Sequence, residues 1–299
     1  MLKAMPIFPD ADEKGMDLQA SVSWAGEVTY DDEEISSSDN ATLQNRFLLG
    51  EEWAERSLGE HSSVASFAAF AIALMTNNAP SDLVEAAFTA GMDEIRHART
   101  SFDIASKLKG ERAGPGPLPA SKHDFSHDLT ALALAVAREG CVDETLSAIV
   151  ADLEIEDIRK VINEEWQGSM YSSIEPDTLN WIMNEMRTIA LEESNHAALA
   201  WCTLNWVCGV DSDACDAVHR DVFDEASLEA RFHYRALNTL SDAAKVHNKL
   251  KENWEKIHNA HLLARSNSDI SQFKNSICGG AEDDFAIASV VLRGLICSE

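Results

Sequence analysis

Two glutamates in this chain are each followed, three residues later, by a histidine: Glu94-Ile95-Arg96-His97 and Glu193-Ser194-Asn195-His196. Positions i and i+3 stand about 60° apart on one helix face, so a carboxylate and an imidazole at that spacing can reach a single ion. Two more glutamates fall where acids do not belong. At about 100° per residue, Glu60 lies among Trp53, Val64, Phe67, Ala71 and Leu74, and Glu139 among Leu132, Leu146, Val150 and Leu153. Glu94 is framed by Leu83, Ala87, Ala98, Ala105 and Leu108, and Glu193 by Ile182, Met186, Ile189, Ala197, Ala200 and Leu204. Four buried, uncompensated carboxylates would each cost on the order of several kcal/mol or titrate neutral. Two divalent cations would neutralise them, and oxygen with imidazole suits iron or manganese better than a thiolate-bound metal.

A Glu-x-x-His match alone is weak. With ten histidines in so acidic a chain a chance match is expected, and Glu255-Lys256-Ile257-His258 is a third one, flanked by Asn248, Lys251, Glu252 and Asn259 as on a solvated face. On the helix that carries Glu139, Glu144 is the competing candidate. It points about 140° away from the apolar stripe, toward Gly140, Cys141, Ser147 and Ala148, and is the less favoured ligand. His61 and Cys141 neighbour candidate ligands in sequence but face elsewhere, as packing residues. Asp93 and Asp143 are read as surface acids, with partners for ligand imidazoles as the sharper alternative.

The elements that must position these side chains read as helices. The first spans about 46–76, closed by Asn77, Asn78, Ala79 and Pro80, and a second runs from a Ser81 cap to about Lys109, before Gly110 and a cluster of glycines and prolines. The connection is short, so the pair is antiparallel. A third helix runs from near Ser126 to Asn163 and a fourth from Pro176 to about Val207. Residues 212–264 hold two or three shorter helices, and Phe285 to Ile296 reads as one more. With 7 prolines and 14 glycines in 299 residues, an all-α fold is expected. The acidic stretch 1–44 reads as a disordered tail, 45–210 as the bundle with the dinuclear site, and 211–299 as a helical extension.

The order Glu, Glu-x-x-His, Glu, Glu-x-x-His resembles the ferritin-like superfamily of di-iron carboxylate proteins, and Gly59-Glu60-His61 is similar to the first-helix motif of its rubrerythrin and hydroxylase branches. The resemblance covers about residues 46–208. It implies a ferritin-like four-helix bundle with additional C-terminal helices. It also implies metal ligands at Glu60, Glu94, His97, Glu139, Glu193 and His196, holding two iron ions or an iron–manganese pair. The spacing of 34 residues from Glu60 to Glu94 matches the family's expectation, whereas the 54 from Glu139 to Glu193 implies longer helices or an inserted turn near Trp166 to Glu175.

The formal net charge of −27 excludes a nucleic-acid binder, because a polyanion would meet a surface of its own sign. No stretch approaches 18 uninterrupted apolar residues and no signal peptide is evident, so no membrane span and a cytoplasmic location are expected. The six cysteines form no C-x-x-C pair and read as reduced thiols, which also excludes a rubredoxin-type iron site. A tyrosyl-radical subunit is set aside because none of Tyr30, Tyr171 and Tyr234 lies beside a ligand on the four helices. The expected activity is that of an O2-activating oxidase or oxygenase acting on a small organic substrate. A separate reductase is required, and a homodimer is compatible. Iron handling by a ferroxidase and a non-catalytic metal-binding bundle remain as alternatives.

Overall fold

The computed structural model describes Trp24 and residues 40–118, 127–166, 168–237 and 242–265, and among these every regular element is helical. Helix α1 spans Asn40–Thr76 and α2 spans Ser81–Lys109. Between them Asn78 takes a left-handed conformation at φ 58°, and the chain re-enters a helix after Pro80. Asp82 in the first turn of α2 and Lys107 and Lys109 in its last turn complement the helix dipole, and Gly110 at φ 72° closes it. Ser81 is the first helical residue, and its hydroxyl turns to Asp82, so it does not cap the helix as its sequence suggests. Gly50 lies under Leu108 and Lys109 while Gly91 meets Phe67, which fixes the two helices as antiparallel along their length.

The second long helix pair is less regular. Helix α3 (Leu129–Ala135), capped by the Asp128 carboxylate, runs into a π-helical segment at Val136–Glu144 and continues as α4 (Thr145–Ile162). A π turn takes up roughly one residue more than an α turn, so every side chain beyond it is rotated against α-helical phase. Gly140 sits at the middle of this segment against α5 (Pro176–Val210), where a Cβ would collide with that of Ala200. The insertion expected between the third and fourth helices is a short 3-10 turn, Met170–Ser173, that buries Tyr171.

The extension forms α6 (Ser212–Asp221), α7 (Glu225–Leu237) and α8 (Ala243–Arg265). Trp254 of α8 packs on Trp201 and Phe223 at ring distances of 5.6 and 5.3 Å, which joins the extension to the bundle core. A disulfide between Cys208 and Cys215 ties α5 to α6, correcting the reading of these two as reduced thiols; Cys141 and Cys202 remain thiols. The helix expected at Phe285 to Ile296 lies outside the described residues. So does the acidic tail of 1–44, apart from Trp24, whose ring meets His61 edge-on at 4.8 Å, and the opening turn of α1. Among the described helices, Thr42–Thr76 is long and apolar enough to cross a membrane by composition, with a mean hydropathy of 1.3. It packs throughout against α2 and carries Glu60.

The apolar interior divides into two along the bundle. One half holds Leu49, Trp53, Phe102, Ile158 and Ile182; the other holds Phe67, Ala87, Leu146, Ala200 and Trp201. On α1, α2 and α5 the division falls between Ala54 and Phe67, between Ala90 and Ala98, and between Ala190 and Ala197. Those gaps are occupied by Glu60, by Glu94 and His97, and by Glu193 and His196.

A candidate metal centre

Two groups of side chains meet in this gap. Glu60, Glu94, His97 and Glu193 bring one ligand atom each to within 4.8 Å of one another, and so do Glu144, Glu193 and His196. Glu193 is common to both groups. The imidazoles cross between helices: His97 Nδ1 lies 3.1 Å from Glu193 on α5, and His196 Nδ1 lies 3.1 Å from Glu94 on α2. Neither Nδ1 completes a hydrogen bond, and neither does Glu94 Oε2, although all three atoms are buried. Buried polar atoms are almost always satisfied, so three orphans within these two groups fit a cation to be ligated there. This buried group of glutamates and histidines could hold a metal ion.

The far side of each imidazole is held by the acid that precedes the opposite Glu-x-x-His. His97 Nε2 is 2.8 Å from Glu192, and His196 Nε2 is 3.3 Å from Asp93. Arg96 joins the two acids, reaching Glu192 at 2.7 Å and pairing with Asp93 on its own helix. Each ring therefore has its Nε2 occupied and its Nδ1 free for an ion, an arrangement that fixes tautomer and orientation. Asp93 is thus an imidazole partner and buried, not a surface acid, while Asp143, also buried, pairs with Arg231 at 2.5 Å. Glu192 was not legible as an outer partner, though an acid before each motif was the repeated signal. Asp93→Asn and Glu192→Gln are each expected to weaken metal affinity about 10- to 100-fold without unfolding the bundle, measured by competition with a chelator.

The π-helical segment brings Glu144, rather than the expected Glu139, into the ligand groups. Over its nine residues the accumulated lag is of the order of the ~140° by which α-helical phase had placed Glu144 off the stripe. Glu144 therefore faces Glu193 and His196, while Glu139 belongs to neither ligand group. Glu139 lies instead on an apolar cavity of about 50 Å³ lined by Phe67, Phe70, Leu132 and Val136, with Glu144 and His196 on its wall.

The electrostatics follow from the crowding. Burial and the charges of Glu193, Glu94 and Glu60 hold Glu144 well above the usual carboxylate range. Burial likewise lifts Glu94 to about 8, with Glu193 and Glu60 adding to it and His196 opposing. Glu193 falls to about 2 despite its burial, because His97 and Glu144 lie against its ionised form and the charges of His196 and His97 favour it. Burial disfavours both imidazolium ions, yet Glu192, Glu193 and Glu60 raise His97 well above its ordinary value, and Asp93 and Glu94 raise His196 to about 10. The metal-free centre thus gathers protons where a cation would sit.

The remaining sequence candidates lie elsewhere. His61 packs against Trp24. In the third Glu-x-x-His, Glu255 is exposed, while His258 stacks on His219 at 5.8 Å rather than facing solvent. Tyr171 is buried in the 3-10 turn. Compared with protein-family models, with curated proteins and with solved structures, the chain matches none of them.

Proposed function

We propose that this protein is an O2-activating oxidoreductase built on a ferritin-like bundle, with a dinuclear carboxylate-bridged centre of two iron ions, or iron and manganese, that acts on a small organic molecule. The observation that carries the reading is the pair of buried ligand groups sharing Glu193, each with one imidazole whose Nδ1 is unpartnered. Glu60, Glu94 and His97 would hold one ion and Glu144 and His196 the other, with Glu193 common to both. Four carboxylates balance two divalent charges, and oxygen with imidazole is the donor set of iron and manganese. When bound, such a pair supplies the electrons for reducing O2.

The chain's own residues would do the rest. Phe67, Phe70, Leu132 and Val136 line the small cavity beside Glu144 and His196 with apolar surface, which suits a small apolar molecule such as O2. Glu139 on that wall is pushed up to about 9, chiefly by burial and then by the charge of Asp143. It carries a proton at neutral pH that it can hold on that wall beside the centre. Electrons for repeated turnover would come from a separate reductase.

The test is to add excess Fe2+ and air to the purified protein. Oxidation that stops after about two irons per chain supports a resident cofactor. Many tens of irons retained as a mineral core would make this a storage protein. A site showing no oxygen-dependent spectral change after anaerobic reduction would be purely structural.

A further inference from the structure

Beside the carboxylates, and sharing Ser63 and Glu144 with the apolar pocket, lies a second cavity of about 110 Å³. Its walls include Glu60, Glu94, Glu144 and Glu193, with Trp53, Val150 and Met186 supplying apolar surface. Two guanidinium groups also line it, Arg56 and Arg235, and they differ in one respect. Arg56 is committed, bound in a fork to both oxygens of Glu154 at 2.7 and 2.6 Å. Asp143, on the same wall, is committed to Arg231. Arg235 forms no ion pair among the described residues. Its Nη2 donates to the Ser147 hydroxyl at 3.1 Å, and its Nε has no partner although the residue is only 7% exposed.

A buried guanidinium is retained at a large desolvation cost unless an anion meets it. Burial lowers its pKa to about 10, so it is still a cation at neutral pH. In the metal-free chain the nearby charges of Asp143, Glu154 and Glu193 offset it in part. Once two divalent ions balance the four glutamates, and Arg56 and Arg231 balance Glu154 and Asp143, one positive charge on the cavity wall is left over. It is Arg235.

We infer that Arg235 anchors the carboxylate of a small organic acid, whose apolar part lies along Trp53, Val150 and Met186 beside the metal centre. The inference rests on the proposed dinuclear site and names the substrate class for it. A guanidinium edge with a free Nε matches the two oxygens of a carboxylate, which an ammonium does not. It also gives the C-terminal extension a task. Helix α7 brings Arg231 and Arg235 against the π-helical segment and α4, where the first pairs with Asp143 and the second bonds Ser147 and lines the cavity.

The probes are butyrate and benzoate against their uncharged amides, titrated calorimetrically into the full-length metal-loaded protein, with metal content measured on the same samples. Wild type is expected to bind the acids at least tenfold more tightly than the amides. Arg235→Gln should lose at least tenfold in affinity for the acids at unchanged metal content, and Arg235→Lys should fall between. Acids bound equally by wild type and Arg235→Gln would mean that the metals alone hold the carboxylate, and would overturn the inference while leaving the metal centre standing. Amides bound as tightly as acids by wild type would overturn it too, without any variant needing to fold. A chain that takes up no metal contradicts the dinuclear reading itself, which the metal analysis registers separately.

Discussion

Glu144→Ala is expected to lose at least one of two bound ions, whereas Glu139→Gln keeps both and gains stability as the pH rises. The two residues are five apart on one helix, and only Glu144 shares a ligand group with Glu193 and His196. Glu139 is a buried acid whose pKa stands at about 9 against an ordinary 4.5, with Asp143 raising it and Arg231 and Arg138 opposing. The folded chain therefore holds a proton that the unfolded chain releases above pH 4.5. Stability from this group is fully present below pH 4.5 and is lost as pH climbs toward about 9. Removing the titrating carboxyl abolishes that loss. At pH 8 the gain should be on the order of 2 kcal/mol, since relaxation and water penetration absorb much of the nominal shift, and it should vanish near pH 4. Thermal melts at the two pH values and metal analysis of both variants check the prediction together. Loss of metal from Glu139→Gln with full retention in Glu144→Ala would mean that the helix is in α phase through this segment.

Metal loading at neutral pH is expected to release protons, on the order of two to four per chain. Without metal, carboxylate partners raise His196 to about 10 and burial raises Glu94 to about 8, while His97 and Glu144 are both pushed well above their ordinary values, so the centre holds protons at the ligand atoms. A cation at the Nδ1 atoms and carboxylate oxygens displaces those protons, because ligation needs neutral imidazole and ionised carboxylate. Affinity should accordingly rise steeply from pH 6 to pH 8. Removal of metal by a chelator at pH 8 should destabilise the fold more than the same removal at pH 6, where protons take the cation's place. Calorimetry in buffers of different ionisation enthalpy reads the proton count directly. A heat independent of the buffer would show that the centre is already deprotonated.

The first helix pair was legible because nothing interrupts its period. Gly110 and the Asn78–Pro80 turn bound α2 where the sequence punctuates it, and Glu60, Glu94 and His97 point where 100° per residue places them. The second pair was legible in extent but not in phase. A π-helical segment keeps the apolar composition of a core helix while shifting its register, and the nearest sequence cue is Gly140, which permits the close approach to Ala200. Angular counting then favoured Glu139 over Glu144. The spacing between carboxylate and Glu193 gave a hint in the right direction, since 54 residues from Glu139 were more than expected and 49 from Glu144 are nearer. The crossing of Asp93 and Glu192 to the opposite histidines and the placement of Arg235 depend on how separate helices dock. No periodicity within one helix encodes that.

The central claim is that one chain holds two metal ions between these four helices, and metal content with identity, measured on protein purified without chelator, tests it most directly. Two ions per chain of iron, or of iron and manganese, falling toward one or none in His97→Ala and His196→Ala with the helical fold intact, is the predicted result. A single zinc ion per chain, or no metal after both aerobic and anaerobic loading, would contradict it.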